Sequence, residues 1–268
     1  MSQPINAQTD DNGLRYYEFN GQKLLSVTSY RRVLGLGFGL HNWVIKQVVD
    51  AAVMTDRGPL GDDEYRRSLW KAARAKRDAA ANLGTAVHEA AEVGLQAVSL
   101  PKDVRPEDVE PFLNQFHLAM AELGFKTLLS EAQVFNLTLA YAGSLDLVVE
   151  ATKDLPKYGI KKGDRIVVDL KTGKGIYNDH ALQLGMYFGA EFVGGYDPFD
   201  DKDVQYPDQT DILNSVVSTG VLHLQPDTWE YIPIPVTDEL AAACVDLTRI
   251  ATWFVNHPTI DTLKGVTK

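Results

Sequence analysis

The chain of 268 residues carries 26 Lys and Arg against 36 Asp and Glu, a formal charge of -10, which excludes a positively coated surface and with it indiscriminate polyanion binding. With 45% apolar and 23% charged residues the composition is that of a globular protein with a substantial core, in one large domain with elaborations or two small ones. The single cysteine, Cys244, excludes an intramolecular disulfide framework and every four-cysteine zinc or iron-sulfur site within the chain, and points to a reducing, cytoplasmic setting.

Residues 1 to 13 are polar, without the cationic and apolar regions of a signal peptide, and no later segment supplies ~18 continuous apolar residues; neither secretion nor a membrane span is expected. Residues 16 to 30 read as short extended segments around an Asn20-Gly21 turn, a small hairpin. From Ser29 or Tyr30 to Met54, the pattern is helix, glycine-rich interruption at 35 to 39, then helix. Beyond the Gly58-Pro59 break, residues 62 to 97 are rich in helix formers and open with acids that suit a helix amino terminus. At 100° per residue, Arg66, Arg67, Lys71, Arg74 and Arg77 gather on one broad face of this helix. A solvated polar face is the ordinary reading of such a cluster; a phosphate-facing ridge is the alternative. Gly84 marks either a close contact or a break before His88.

A helix is predicted over about 107 to 122. The stretches EAQVFNLTLAYAGSLDLVVE and RIVVDLK then read as neighbouring strands, and NDHALQLGMYFGAEF as a helix with Asn178 or Asp179 available as its cap. Residues 191 to 211 hold seven acids and one lysine and read as an exposed acidic insertion. Two more strands and a helix from about Asp238 to Val255 complete the chain, with no internal repeat.

The chemistry concentrates on Asp169-Leu170-Lys171 at the end of an apolar strand. Alternation sends Asp169 and Lys171 to one face, where charges need water, metal or substrate. Pairing with the strand that holds Asp146 would place two carboxylates together, a pair able to hold Mg²⁺, with Lys171 near a phosphate oxygen or an attacking water. His88 could add a nitrogen ligand and Glu131, at the start of the preceding strand, a further carboxylate; singly, each residue is more often structural. Gln183 and Tyr187 project from one helical face. Two other motifs fail: Gly173-Lys174 lacks the upstream glycine and following Ser or Thr of a phosphate loop, and His88-Glu89 lacks the second histidine of a zinc protease.

Taken in order, Gly84-x-x-x-His88, Glu131, Gly143-Ser144-Leu145-Asp146, Asp169-Leu170-Lys171 and Gln183-x-x-x-Tyr187 resemble the PD-(D/E)XK nuclease superfamily, in its RecB-like branch. The resemblance runs from about Ser26 to residue 195. It implies an α/β restriction-endonuclease-like core, a central mixed sheet flanked by helices, over about 84 to 195. Residues 1 to 25 would form an extension and hairpin, and 26 to 268 a single nuclease domain with an accessory carboxy-terminal segment. It further implies that His88, Asp146, Asp169 and the Leu170 carbonyl bind one or two Mg²⁺ ions, with Mn²⁺ as substitute. Lys171 would assist hydrolysis, and Glu131, Gln183 and Tyr187 would support the site or position DNA. The implied activity is DNA exonuclease cleavage to 5′-phosphate products in phage recombination, repair or processing, in the host bacterial cytoplasm; structure-specific or flap endonuclease action and a non-catalytic nucleic-acid-binding assembly subunit are the alternatives. DNA would be the partner, together with a single-strand annealing or other recombination protein, and a ring-shaped homo-oligomer is compatible. Relatives with an iron-sulfur cluster are excluded by the lone cysteine.

Overall fold

A computed structural model describes residues 4–10, 13–33, 38–54 and 56–257. Its amino-terminal hairpin joins β2 (Arg15–Phe19) to β3 (Gln22–Ser26), with the two-residue β1 (Gln8–Thr9) paired outside β2. Asn20 and Gly21 turn the chain with positive φ values of 48° and 75°, the geometry that matches a tight hairpin to the right-handed strand twist. Two helices follow, α1 (Val27–Val33) and α2 (Phe38–Met54); of the glycine-rich interruption predicted at 35 to 39, residues 35–37 lie outside the described residues and 38 and 39 open α2.

The long helix α3 (Asp62–Val93) opens on Asp62, Asp63 and Glu64, whose charges favour the exposed N–H groups of its first turn, and ends at Gly94. Gly84 does not break it. A Cβ there would lie 3.3 Å from Thr172 Oγ1, so the residue marks a close crossing of helix and sheet. α4 (Pro106–Leu123) then packs with α3 on one face of the sheet, burying Val87, Ala90, Val109, Phe112, Leu113 and Phe116 against Val149, Ile166, Val168 and Leu222.

The sheet is built on β4 (Phe125–Asn136), β5 (Tyr141–Ala151) and β6 (Arg165–Lys171), with β4–β5 and β5–β6 antiparallel. α5 (Asn178–Phe188), β7 (Phe192–Asp197), β8 (Lys202–Gln205), α6 (Pro207–Asn214), β9 (Val216–Leu224), β10 (Trp229–Ile234) and α7 (Asp238–Asn256) follow. β9 lies parallel to β6 and antiparallel to β10, and β3 runs parallel to the start of β5. The result is a mixed α/β architecture with a central, mostly antiparallel sheet. Its second face is covered by α1, α5 and α7, which bury Leu184, Met186, Cys244 and Leu247 against Val148, Val167 and Val221. Among the described residues, no helix is long and apolar enough to cross a membrane.

Two expectations need correction. The acidic stretch 191–211 is not a freely exposed insertion: β7 pairs with β4 through Val134↔Val193, and Phe192, Val193, Gly194 and Gly195 are buried, while the acids lie outside that buried run, at Glu191 before β7, from Asp197 to Asp203 around the turn into β8, and at Asp208 and Asp211 on α6. The cap of α5 is neither Asn178 nor Asp179 but Tyr177, in extended conformation, whose backbone N–H donates to His180 Nδ1 at 3.2 Å. The amino-terminal hairpin forms around Asn20-Gly21 as expected, and its β3 enters the central sheet beside β5.

Candidate metal centre

Strand β5 has a divided neighbour. Its first residues, Tyr141 and Ala142, pair with β3, whereas Leu147 to Glu150 pair with β6. Between them Gly143 to Asp146 meet neither strand, and this gap opens the sheet where the charged residues collect. β6 continues past its last pairing with β5, so the backbone N–H of Leu170 donates instead to Asp146 Oδ2 at 2.6 Å. A side-chain carboxylate thus takes the place of a ladder carbonyl and is locked in orientation by it.

Glu131 sits within β4, not at its start, and its φ of 47° is the left-handed region that a side chain rarely adopts. The ladder pairs Ser130 with Leu147 and Ala132 with Leu145, which sets Glu131 across from Asp146. Leu129 and Ala132 enter the same apolar cluster although three residues apart, and so do Leu145 and Val148. Strict alternation would send each pair to opposite faces. Both strands therefore change face at this one rung, and the rung delivers two carboxylates to one spot.

The third component comes from α3. His88 Nδ1 lies 3.3 Å from Asp146 Oδ1, and single donor atoms of His88, Glu131 and Asp146 all fall within 4.8 Å of one another. This partly to fully buried group of one nitrogen and two oxygen donors could hold a divalent cation. Asp169, 1% exposed, lies beside it. Its Oδ1 accepts from Gln183 Nε2 at 3.0 Å; its Oδ2 contacts the Lys171 ammonium but accepts no aligned hydrogen bond, so a buried oxygen keeps acceptor capacity. Gln183 Nε2 also donates to Tyr187 Oη at 3.2 Å, and Lys171 Nζ donates to the Leu170 carbonyl at 3.3 Å. Gly143 is required by this packing: a Cβ there would stand 2.9 Å from Tyr187 Cε1 and 3.1 Å from Val27 Cγ2.

The electrostatics match a site of excess negative charge. Burial, reinforced by the Asp146 charge, pushes Glu131 up to about 7, against partial relief from His88. Burial likewise raises Asp169 to about 6, with Lys171 opposing and Asp146 adding to the shift. Burial disfavours ionised Asp146 too, but His88, Lys171 and the Leu170 N–H outweigh it and hold its pKa below the ordinary value. His88 is raised overall, since Asp146 beside it overcomes the burial that would discharge the ring. Burial drives the Tyr187 phenol well above its usual range, so it stays protonated.

All seven predicted catalytic residues, His88, Glu131, Asp146, Asp169, Lys171, Gln183 and Tyr187, are thus joined in one network. The grouping differs from expectation in one respect: Glu131 joins His88 and Asp146 in the compact donor group, while Asp169 is engaged by Lys171 and Gln183. A groove of about 810 Å³ runs over the centre, lined also by Pro4, Arg15, Ser26, Thr28, Glu89, Glu92 and Gln133. Sequence reasoning missed these; Arg15 and Thr28 arrive only through the β3–β5 pairing, which no local pattern announces. The basic residues Arg66, Arg67, Lys71, Arg74 and Arg77 are exposed on the amino-terminal half of α3, the same helix that carries His88.

No protein-family model matches the chain, and no curated protein matches it. Among solved structures, one titled "Crystal structure of SSO0001" is similar at 13% identity, with 81% of this chain and 87% of that chain covered and a TM-score of 0.30.

Proposed function

We propose that the protein is a divalent-metal-dependent DNA exonuclease with a PD-(D/E)XK, RecB-like core, cleaving phosphodiester bonds to leave 5′-phosphates. The observation that carries this reading is the convergence at the β5–β6 edge: Asp146 fixed by the Leu170 N–H, Asp169 and Lys171 beside it, and His88 and Glu131 closing the donor group. The donor chemistry fits a divalent metal: the two carboxylates suit Mg²⁺ or Mn²⁺, and the imidazole nitrogen favours Mn²⁺ of the two. His88, Glu131 and Asp146 would hold the ion, with Asp169 Oδ2 and the Leu170 carbonyl next to it. A bound cation would supply charge neutralisation at the phosphate and activation of water at neutral pH.

The chain's own residues do the rest. Lys171, tethered between Asp169 and the Leu170 carbonyl, presents a fixed ammonium to a phosphate oxygen. Gln183 and Tyr187 hold Asp169 in one rotamer, so that the cation and the ammonium meet a preorganised carboxylate. The amino-terminal segment walls the groove on one side, which supports the exonuclease reading: the Gln133 side chain accepts from the Ile5 N–H at 2.6 Å and donates to the Ile5 carbonyl at 2.8 Å, and Pro4 lines the groove. Linear, flap-bearing and covalently closed circular DNA incubated with Mg²⁺ or Mn²⁺ test the proposal. Loss of linear DNA with circles spared, abolished in Asp146→Asn, is expected; rapid cutting of circles would refute the exonuclease reading, and undiminished cutting by Asp146→Asn would refute the site.

A further inference from the structure

The basic half of α3 also carries an exposed aromatic. Trp70 is 54% exposed and precedes His88 by 18 residues, which at 3.6 residues per turn is five turns, so both side chains leave the helix on one line. Arg66, Arg67, Arg74 and Arg77 fall within about 60° of that line, and Lys71 about 100° to one side. Arg66 and Arg77 are engaged by Asp63 and Asp78, whereas Arg67, Lys71 and Arg74 make no ion pair among the described residues. Those three cations, Trp70 and Asp78 line an open groove of about 680 Å³. An exposed indole set between cations that make no ion pair matches the chemistry of a polyanion whose bases are free to stack.

We propose that this surface is a track for single-stranded DNA, with Trp70 as a base-stacking platform and Arg67, Lys71 and Arg74 as phosphate contacts, leading toward the metal centre. The proposal rests on the nuclease reading for its direction and adds the substrate form: a duplex hides its base faces, so only an unpaired strand can use the indole. Trp70 and His88 are about 27 Å apart along the helix axis, or roughly eight nucleotides of stacked strand at 3.4 Å each. A strand of about five nucleotides held at the centre does not reach Trp70; a longer one does.

Fluorescence anisotropy in EDTA tests this, with labelled single-stranded deoxyoligonucleotides of about 5 and about 20 residues and a blunt duplex of about 20 base pairs. The longer single strand is expected to bind tightest. Trp70→Ala should weaken it by about 10- to 100-fold, and Trp70→Phe should restore most of the loss. The Arg67→Ala, Arg74→Ala double variant should lower the slope of log affinity against log salt by about 1.4. Because Trp70 is exposed, its variants should melt like the parent. Parent-like binding of the longer strand by Trp70→Ala, or a duplex bound as tightly and as dependent on Trp70, would overturn the proposal. Cleavage is scored separately. Binding through Trp70 without cutting in Mg²⁺ or Mn²⁺ keeps this surface and removes the nuclease reading; cutting that persists with Trp70→Ala binding unchanged removes the surface alone.

Discussion

Raising the pH in the absence of metal should destabilise this protein, and Glu131 should account for a measurable part of the loss. Its carboxyl is raised from 4.5 to about 7 in the folded chain. Between those values the folded state keeps a proton that the unfolded chain has released. Its contribution is therefore complete below about pH 4.5 and is lost as pH rises through 7. At about 1.4 kcal/mol per pH unit, the shift corresponds to about 3 kcal/mol, or roughly 5–10 °C of melting temperature for a chain of this size. Asp169, raised from 3.8 to about 6, and His88, raised from 6.5, act in the same direction; Asp146, lowered, would oppose only below its ordinary value of 3.8. Because these groups are coupled, the difference between parent and Glu131→Gln isolates the effect better than either curve alone. Thermal and urea denaturation in EDTA from pH 5 to 8 should find the two proteins alike at the acidic end and the variant more stable at the alkaline end. At a hundredfold excess over its dissociation constant at pH 8, Mn²⁺ should stabilise the parent by about 2.7 kcal/mol, and the same Mn²⁺ concentration should stabilise it less at pH 5.5, where the ion has those protons to displace. Parallel pH profiles for parent and Glu131→Gln would refute the reasoning, as would equal Mn²⁺ stabilisation of Asp146→Asn.

Asp169→Asn and Lys171→Met should each lower DNA cleavage by at least about 100-fold while circular dichroism stays native, because each removes a preorganised charge; parent-like rates in both would exclude Lys171 as an electrostatic partner. Gly143→Ala should cost about 1–3 kcal/mol, since its methyl has only Tyr187 and Val27 to displace, whereas Gly84→Ala meets one rotatable hydroxyl and gains about 1 kcal/mol of helix propensity. Melting temperatures that reverse that ranking would contradict the close approach at Gly143. Gln183→Leu should cost about 1–3 kcal/mol by stripping Asp169 Oδ1 of its donor, with the loss read by denaturation and with kcat falling more than KM changes, as expected of a residue that acts by positioning a carboxylate.

What the sequence determined by itself is what local spacing encodes. Strand β6 was legible as RIVVDLK because its apolar run ends in two charges of the same parity, and the β2–β3 hairpin because Asn20-Gly21 can adopt positive φ. The seven site residues could be named because four short motifs and a glutamate stand in a particular order. Tertiary structure decided the rest. That Glu131 faces Asp146 depends on two strands changing face at one rung, a slip that period-two reading hides because it assumes an unbroken pleat. That residues 192 to 195 are buried depends on β7 adding to β4, an edge pairing between distant segments that outweighs the acidic composition around it. That Asp146 is fixed by the Leu170 N–H depends on β6 outrunning its partner. Local pattern sets which side a residue can face; only the pairing of distant strands sets what it meets there.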